Sequence, residues 1–158
     1  MKIGILIHSF SGNTLNVGTR LKVHLEVNGH WVHMDQIIDN NENPNSNKPI
    51  VLTHIPNIND YDVIIFGAPV RAFSLSPVMT AYLNQLNEIN TIKVYCYVIE
   101  GLPKAWMGGN RAIRKMKKIL EKRNVSVIQS GVINWSSKHK ENQINNLLIR
   151  FSESISKL

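Results

Sequence analysis

Ile3-Gly4-Ile5-Leu6-Ile7 is an apolar run without polar alternation, and it passes directly into the small polar segment His8-Ser9-Phe10-Ser11-Gly12-Asn13-Thr14. A strand that does not alternate is buried on both faces, the condition of a parallel sheet covered by helices on each side. Parallel neighbours need a crossover connection, usually a helix, so the polar segment is read as the start of one. Its composition suits an anion: the first helical N–H groups lack partners inside the helix, the helix dipole is positive there, and hydroxyl side chains add donors. The same residues also describe an ordinary strand-to-helix turn capped by Ser11 or Asn13. No Lys follows in the G-x-x-x-x-G-K-[ST] pattern and no G-x-G-x-x-G follows a strand, so a monophosphate fits better than a metal-bound triphosphate.

The rest of the chain repeats this strand-and-helix rhythm. Expected strands are Lys2 to His8, Trp31 to Asp35, Asp62 to Gly67, Lys93 to Ile99 and Val125 to Ile133. Expected helices run from Asn13 to Asn28, from Ser76-Pro77 to about Leu86, through the basic stretch 111–123, and from about Lys140 to Lys157. Ser is a good cap and Pro is tolerated in a first helical turn. The run Asp39 to Lys48 is rich in Asn and turn formers, so an exposed loop is expected there, with the crossover helix short or missing. This alternation predicts an α/β fold, a doubly wound three-layer sandwich with right-handed crossovers. With 158 residues and no internal repeat, the chain is expected to form a single domain, 1–158.

Composition narrows the function classes. A 43% hydrophobic and 18% charged chain is typical of globular proteins, and neither a membrane-span-length apolar run nor a signal-like N-terminus is present. A single cysteine, Cys96, forms no internal disulfide, so a cytoplasmic location is the expectation. The formal net charge of +7 is concentrated between Lys104 and Arg123. There Ala112, Ile113, Met116, Ile119 and Leu120 recur at three- and four-residue spacing beneath a cationic face. That face is either a solvated helix surface or a docking face for an acidic partner; no nucleic-acid-binding motif accompanies it. The histidines show no metal-ligand spacing, and Cys96 lies mid-strand, where packing accounts for it.

Ligands of doubly wound sheets bind beyond the carboxyl ends of the strands, where strand order reverses. The loops after the first, third and fourth strands carry the unusual compositions: Ser9 to Thr14, Pro69 to Ser74, and Gly101 to Asn110. Ser11-Gly12-Asn13-Thr14 resembles the phosphate loop of the flavodoxin family, and Tyr61 to Val70 resembles that family's third strand and the start of its second flavin loop. In element order the resemblance covers essentially the whole chain. It implies a five-stranded parallel sheet of order 2-1-3-4-5 with FMN at the switch point.

The resemblance also assigns positions. Ser9, Ser11, Asn13 and Thr14 would hold the FMN phosphate, with Phe10 and Gly12 contributing amides. Pro69, Val70, Arg71, Ala72 and Phe73 would border the ribityl chain and one side of the isoalloxazine. Glu100, Gly101, Leu102, Trp106, Met107, Gly108 and Gly109 would border the other side. Aromatic faces stack on flat rings, and backbone N–H groups tune the charge on a reduced flavin. Phe73 and Trp106 serve equally as loop packing, and Arg71 either stabilises an anionic reduced flavin or serves solubility.

The implied function is a redox protein that passes electrons through noncovalently bound FMN, with no side chain assigned as a general acid or base and no metal. The alternatives are an NAD(P)H-dependent FMN oxidoreductase acting on quinones or similar small acceptors, and a binding module without flavin. Expected partners are accordingly a redox protein or NAD(P)H. The basic charge departs from the acidic character of flavodoxins that carry electrons, which weakens any inference to basic-faced reductases.

Overall fold

The computed structural model describes residues 1–41, 47–87, 89, 92–102 and 104–158. Its first half runs β1 (Lys2–Ile7), α1 (Asn13–Val27), β2 (Trp31–Gln36), β3 (Ile38–Asp39), β4 (Leu52–His54), β5 (Val63–Arg71) and β6 (Ser74–Leu75). The second half runs α2 (Pro77–Asn84), β7 (Lys93–Glu100), a 3-10 turn (Ala105–Met107), α3 (Gly109–Glu121), β8 (Val127–Asn134) and α4 (Lys140–Ile155). The main sheet has the order β2-β1-β5-β7-β8, and every pairing along it is parallel. Counting only these strands, this is 2-1-3-4-5, with the reversal between β1 and β5.

Successive side chains of a strand face opposite sides of its sheet, and the central strands use both sides. Ile3, Ile5 and Ile7 join Ile65, Tyr97, Leu21 of α1 and Phe151 of α4 in one core. Leu6, Phe66 and Cys96 join Met79 of α2 and Met116 of α3 in the other. The non-alternating runs therefore follow from two-sided burial. α3 buries Ala112, Ile113, Met116, Ile119 and Leu120 and exposes Arg111, Arg114, Lys115 and Lys118, as its spacing predicts. Among the described residues no helix is long and apolar enough to cross a membrane.

Three local features differ from expectation. β5 does not end at Gly67; Pro69 still pairs with Ile99 of β7, and Val70 and Arg71 pair antiparallel with Leu75 and Ser74 of β6. The predicted loop after this strand is thus a hairpin that turns at Ala72 and Phe73. Its tight two-residue turn holds both residues at positive φ, 47° and 60°, the requirement of a hairpin turn matching strand twist. Second, the chain after β2 forms a small antiparallel pair, β3 with β4, rather than only a loop; residues 42–46 of the Asn-rich run lie outside the described residues. Third, α2 stops at Asn84, short of Leu86. Its start is as predicted: Ser76 caps it by accepting the Met79 N–H at 3.1 Å, and Pro77 follows.

Candidate functional site

β1, β5 and β7 lie side by side, so the segments that leave their carboxyl ends gather at one end of the sheet. The first segment meets α1 through Gly12, which adopts φ 90° and has nothing within 4 Å of the place where a Cβ would stand. Neither Ser11 nor Asn13 caps the helix. Ser9 reaches in instead, its Oγ accepting the Leu15 N–H at 3.2 Å. The first intrahelical bond runs from Asn16 N–H to the Gly12 carbonyl at 2.9 Å. Among the described residues the amides of Gly12, Asn13 and Thr14 have no acceptor, and such amides are the donors that hold anions at helix starts. Thr14 itself is buried, and its carbonyl accepts the phenol of Tyr97 at 2.8 Å. Tyr97 is fully buried on β7, and its ring occupies the space a Cβ on Gly67 would need.

The hairpin after β5 presents Phe73 at its tip, 61% exposed, while the Arg71 guanidinium lies over the Phe10 ring, 5.8 Å from its centroid. That contact joins the first and second segments. The second and third meet at Gly108, where φ is 129° and a Cβ would stand 2.8 Å from the Phe73 Cα and 2.9 Å from Val70 Cγ1 and Glu100 Oε2. Only glycine fits this approach and this dihedral. Trp106, on the 3-10 turn just before, is 73% exposed.

The third segment is anchored from below. Glu100 is 3% exposed; its Oε1 accepts the Leu102 N–H at 2.9 Å, and its buried Oε2 has no partner among the described residues. Asn134, at the end of β8, donates from Nδ2 to the Leu102 carbonyl at 3.2 Å, and its own N–H goes to Gln143 Oε1 at 2.8 Å. Asn134 and Gln143 position this segment without any signal in the sequence, since a polar strand end and a helix polar residue are ordinary in isolation. Leu102 is exposed, as are Phe10 and Gly101. The three predicted segments thus adjoin and share one surface, with Thr14, Glu100, Gly108 and Gly109 buried beneath it: segment one touches two through Phe10 and Arg71, and two touches three at Gly108.

A cavity of about 180 Å³ adjoins that surface. His8, Phe10, Asp39, Ile50, Arg71 and Val78 are among its lining residues. His8 Nδ1 lies 2.8 Å from Ser76 Oγ, and burial lowers the imidazole pKa to about 4, with Asp39 opposing the shift and Arg71 reinforcing it. Both residues were visible in the sequence, His8 as the residue after a strand and Ser76 as a helix cap. Their pairing across the sheet end was not.

Elsewhere, Cys96 is fully buried and its thiol pKa is pushed up by desolvation, the state of an inert packed cysteine. Among the described residues no three His, Cys, Asp or Glu side chains are grouped to hold a metal.

No protein-family model and no curated protein matches the sequence. Solved structures do match. Flavodoxin 2 from Bacillus cereus superposes with a TM-score of 0.68 at 18% identity, covering 98% of this chain and 99% of its own. The azoreductase AzrA gives 0.68 at 11% identity with 100% of both chains covered. A flavoprotein from Lactobacillus acidophilus NCFM, solved in complex with FMN, gives 0.60 at 15% identity over 92% of this chain and 97% of its own. With these superpositions covering nearly the whole of both chains and a strand order of 2-1-3-4-5, the chain has the flavodoxin-like α/β fold.

Proposed function

We propose that this protein binds FMN noncovalently and passes electrons through it. The observation that carries the reading is the row of unclaimed amides at Gly12, Asn13 and Thr14, set on one connected surface with the exposed rings of Phe73 and Trp106. A phosphate alone needs the amides but not the rings. A flavin mononucleotide needs both: an anion at one end and a flat heterocycle at the other. The fold places this surface at the topological switch point, where such ligands bind, and a structural neighbour of the same fold was solved with FMN.

The residues divide the work. Ser9, Ser11, Asn13 and Thr14, with the free amides, hold the phosphate, and Gly12 leaves it room. Pro69 to Phe73 and Trp106 to Gly109 flank the ring system, with Glu100, Gly101 and Leu102 beside it. Bound FMN supplies the one- and two-electron chemistry; the chain supplies orientation and electrostatics. Arg71 and the start of α3 favour negative charge at this end.

Titration with FMN tests the reading. One equivalent should bind, with quenched flavin fluorescence and a raised melting temperature. A chain that leaves FMN fluorescence and melting temperature unchanged is instead a flavin-less module on this fold.

A second reading, an NAD(P)H-dependent FMN oxidoreductase, draws on the cationic face of α3. Arg111, Arg114, Lys115 and Lys118 are exposed and, among the described residues, form no ion pairs. The helix begins at Gly109, beside the proposed ring site, where it suits a dinucleotide phosphate or an acidic redox partner. Anaerobic mixing with NADPH separates the two: rapid bleaching of bound flavin without a reductase identifies an enzyme, and its absence a carrier.

A further inference from the structure

β8 is the last strand of the main sheet, so its outer edge has no partner strand, and a groove of about 470 Å³ runs along it between α3 and α4. Arg114 and Lys117 of α3, Arg150 of α4, and Ser130 and Val132 of β8 are among its lining residues. Every charged residue of this lining is a cation. Among the described residues Arg114, Lys117 and Arg150 form no ion pair. Glu153, one turn further along α4, lines the adjoining depression and not this groove.

Arg150 is held in position rather than left loose on the surface. It is half-buried, its Nε donates to Asn146 Oδ1 at 2.8 Å, its Nη1 to Gln129 Oε1 at 3.3 Å, and its Nη2 to the Ser130 carbonyl at 3.2 Å. All three acceptors are neutral, and a guanidinium has five N–H donors, so its charge and part of its fork stay available to an anion. The bond to Ser130 also limits the form of that anion. It occupies a carbonyl of the edge strand, and the register shift opposite Val94 and Tyr95 leaves Ile128 without a partner on β7. Bulges and charges of this kind blunt a sheet edge. A ligand is therefore recognised through its side chains, not by adding a strand.

Spacing and chemistry select the ligand. Arg114 and Lys117 stand three positions apart on a helix, which sets their Cβ atoms about 5–6 Å apart. An extended peptide with an acid at every second position spaces those side chains by about 6.6 Å along one side, a close match. Among the described residues none of the lining is aromatic, so the groove lacks the stacking platform of a single-stranded nucleic-acid site. A second copy of this chain carries the same formal charge of +7 and is repelled.

We propose that the groove between α3 and α4 is a docking site for an extended acidic segment of a partner protein, its carboxylates paired with Arg150, Lys117 and Arg114. The inference goes beyond the flavin reading: it uses none of the residues assigned to FMN, and its central cation, Arg150, stands on a different helix from the exposed face of α3.

The probe is an end-blocked peptide of alternating Glu and Ser, eight residues long, titrated into the full chain with and without one equivalent of FMN. NMR resonances of the Ser130 and Val132 amides, the Arg150 Nε–H and the Trp106 indole report where it binds. The expected result is saturable binding that moves the first three, leaves the indole in place and persists with FMN present. Arg150→Gln should weaken binding about tenfold through loss of a charge-assisted pair. Lys117→Gln should weaken it in the same direction, which keeps the test decisive if Arg150→Gln does not fold. Lys115→Gln and Lys118→Gln remove the same charge outside the groove and should change binding by about twofold or less. The proposal is overturned if β8 shows no shifts, if Lys115→Gln or Lys118→Gln costs as much as Lys117→Gln, or if FMN displaces the peptide. Displacement by inorganic phosphate at the peptide's own concentration, or tighter binding of a ten-nucleotide oligothymidylate at the same resonances, overturns it as well. FMN fluorescence, recorded separately, decides the flavin reading and leaves the peptide result standing on its own.

Discussion

Acidification is expected to cost this protein stability through His8 in a way that a single substitution isolates. In the unfolded chain the imidazole titrates near 6.5, whereas burial brings it to about 4 in the folded protein. Between those values the unfolded chain binds more protons, so stability is fully present above pH 6.5 and falls as pH drops toward 4. One pKa unit corresponds to about 1.4 kcal/mol. At pH 5 the unfolded ring is almost fully protonated and the folded ring nearly neutral, which makes the loss about 2 kcal/mol relative to pH 7. Against a typical domain stability of about 5–15 kcal/mol, that is readily measured. Urea unfolding at pH 7 and pH 5 on wild type and His8→Asn gives a difference of differences from which other titrating groups, His30 included, largely cancel. The wild type should lose about 2 kcal/mol more than the variant. Equal losses in the two proteins, or a His8 resonance titrating near 6.5, would refute the burial argument.

Other outcomes test the loops. Ser11→Ala and Thr14→Ala should each weaken FMN binding by roughly 1–3 kcal/mol through lost phosphate hydrogen bonds, measured by fluorescence titration; unchanged affinity in both places the phosphate elsewhere. Phe73→Gly should relieve a left-handed non-glycine residue and raise folding stability by about 1 kcal/mol while lowering FMN affinity, so thermal unfolding and titration should move in opposite directions. Tyr97→Phe should cost about 1 kcal/mol of stability by removing one buried hydrogen bond, with a parallel loss of FMN affinity as the first turn of α1 loosens; loss of stability with affinity intact would separate the two roles.

What the residues disclosed in advance depended on the length over which a pattern acts. β1, β5 and β7 are unbroken apolar stretches because both faces are buried, and α3 shows its core side in five apolar positions at helical spacing. β3, β4 and β6 have two or three residues each, too few to carry a period. The strand expected to end at Gly67 continues through Pro69, which pairs with Ile99 and whose carbonyl accepts the Ser76 N–H at 3.1 Å. At the site, Ser9 to Thr14 was legible because strand, loop and helix start are contiguous. His8 with Ser76, and Asn134 with Leu102, were not, since their partners stand 68 and 32 residues away.

The bond from Tyr97 to the Thr14 carbonyl joins residues 83 positions apart, and it bears on the order in which the protein matures. The segment that starts α1 is made early in synthesis, but the phenol that fixes its first turn arrives only with β7, and it seats only where residue 67 has no Cβ. A nascent chain that has not yet added β7 carries every residue of the anion loop without the support that shapes it. On the proposed reading of the loop as a phosphate site, its support is therefore complete only once β7 has joined β5. Ligand uptake would then report the pairing of β5 with β7 rather than formation of the loop alone.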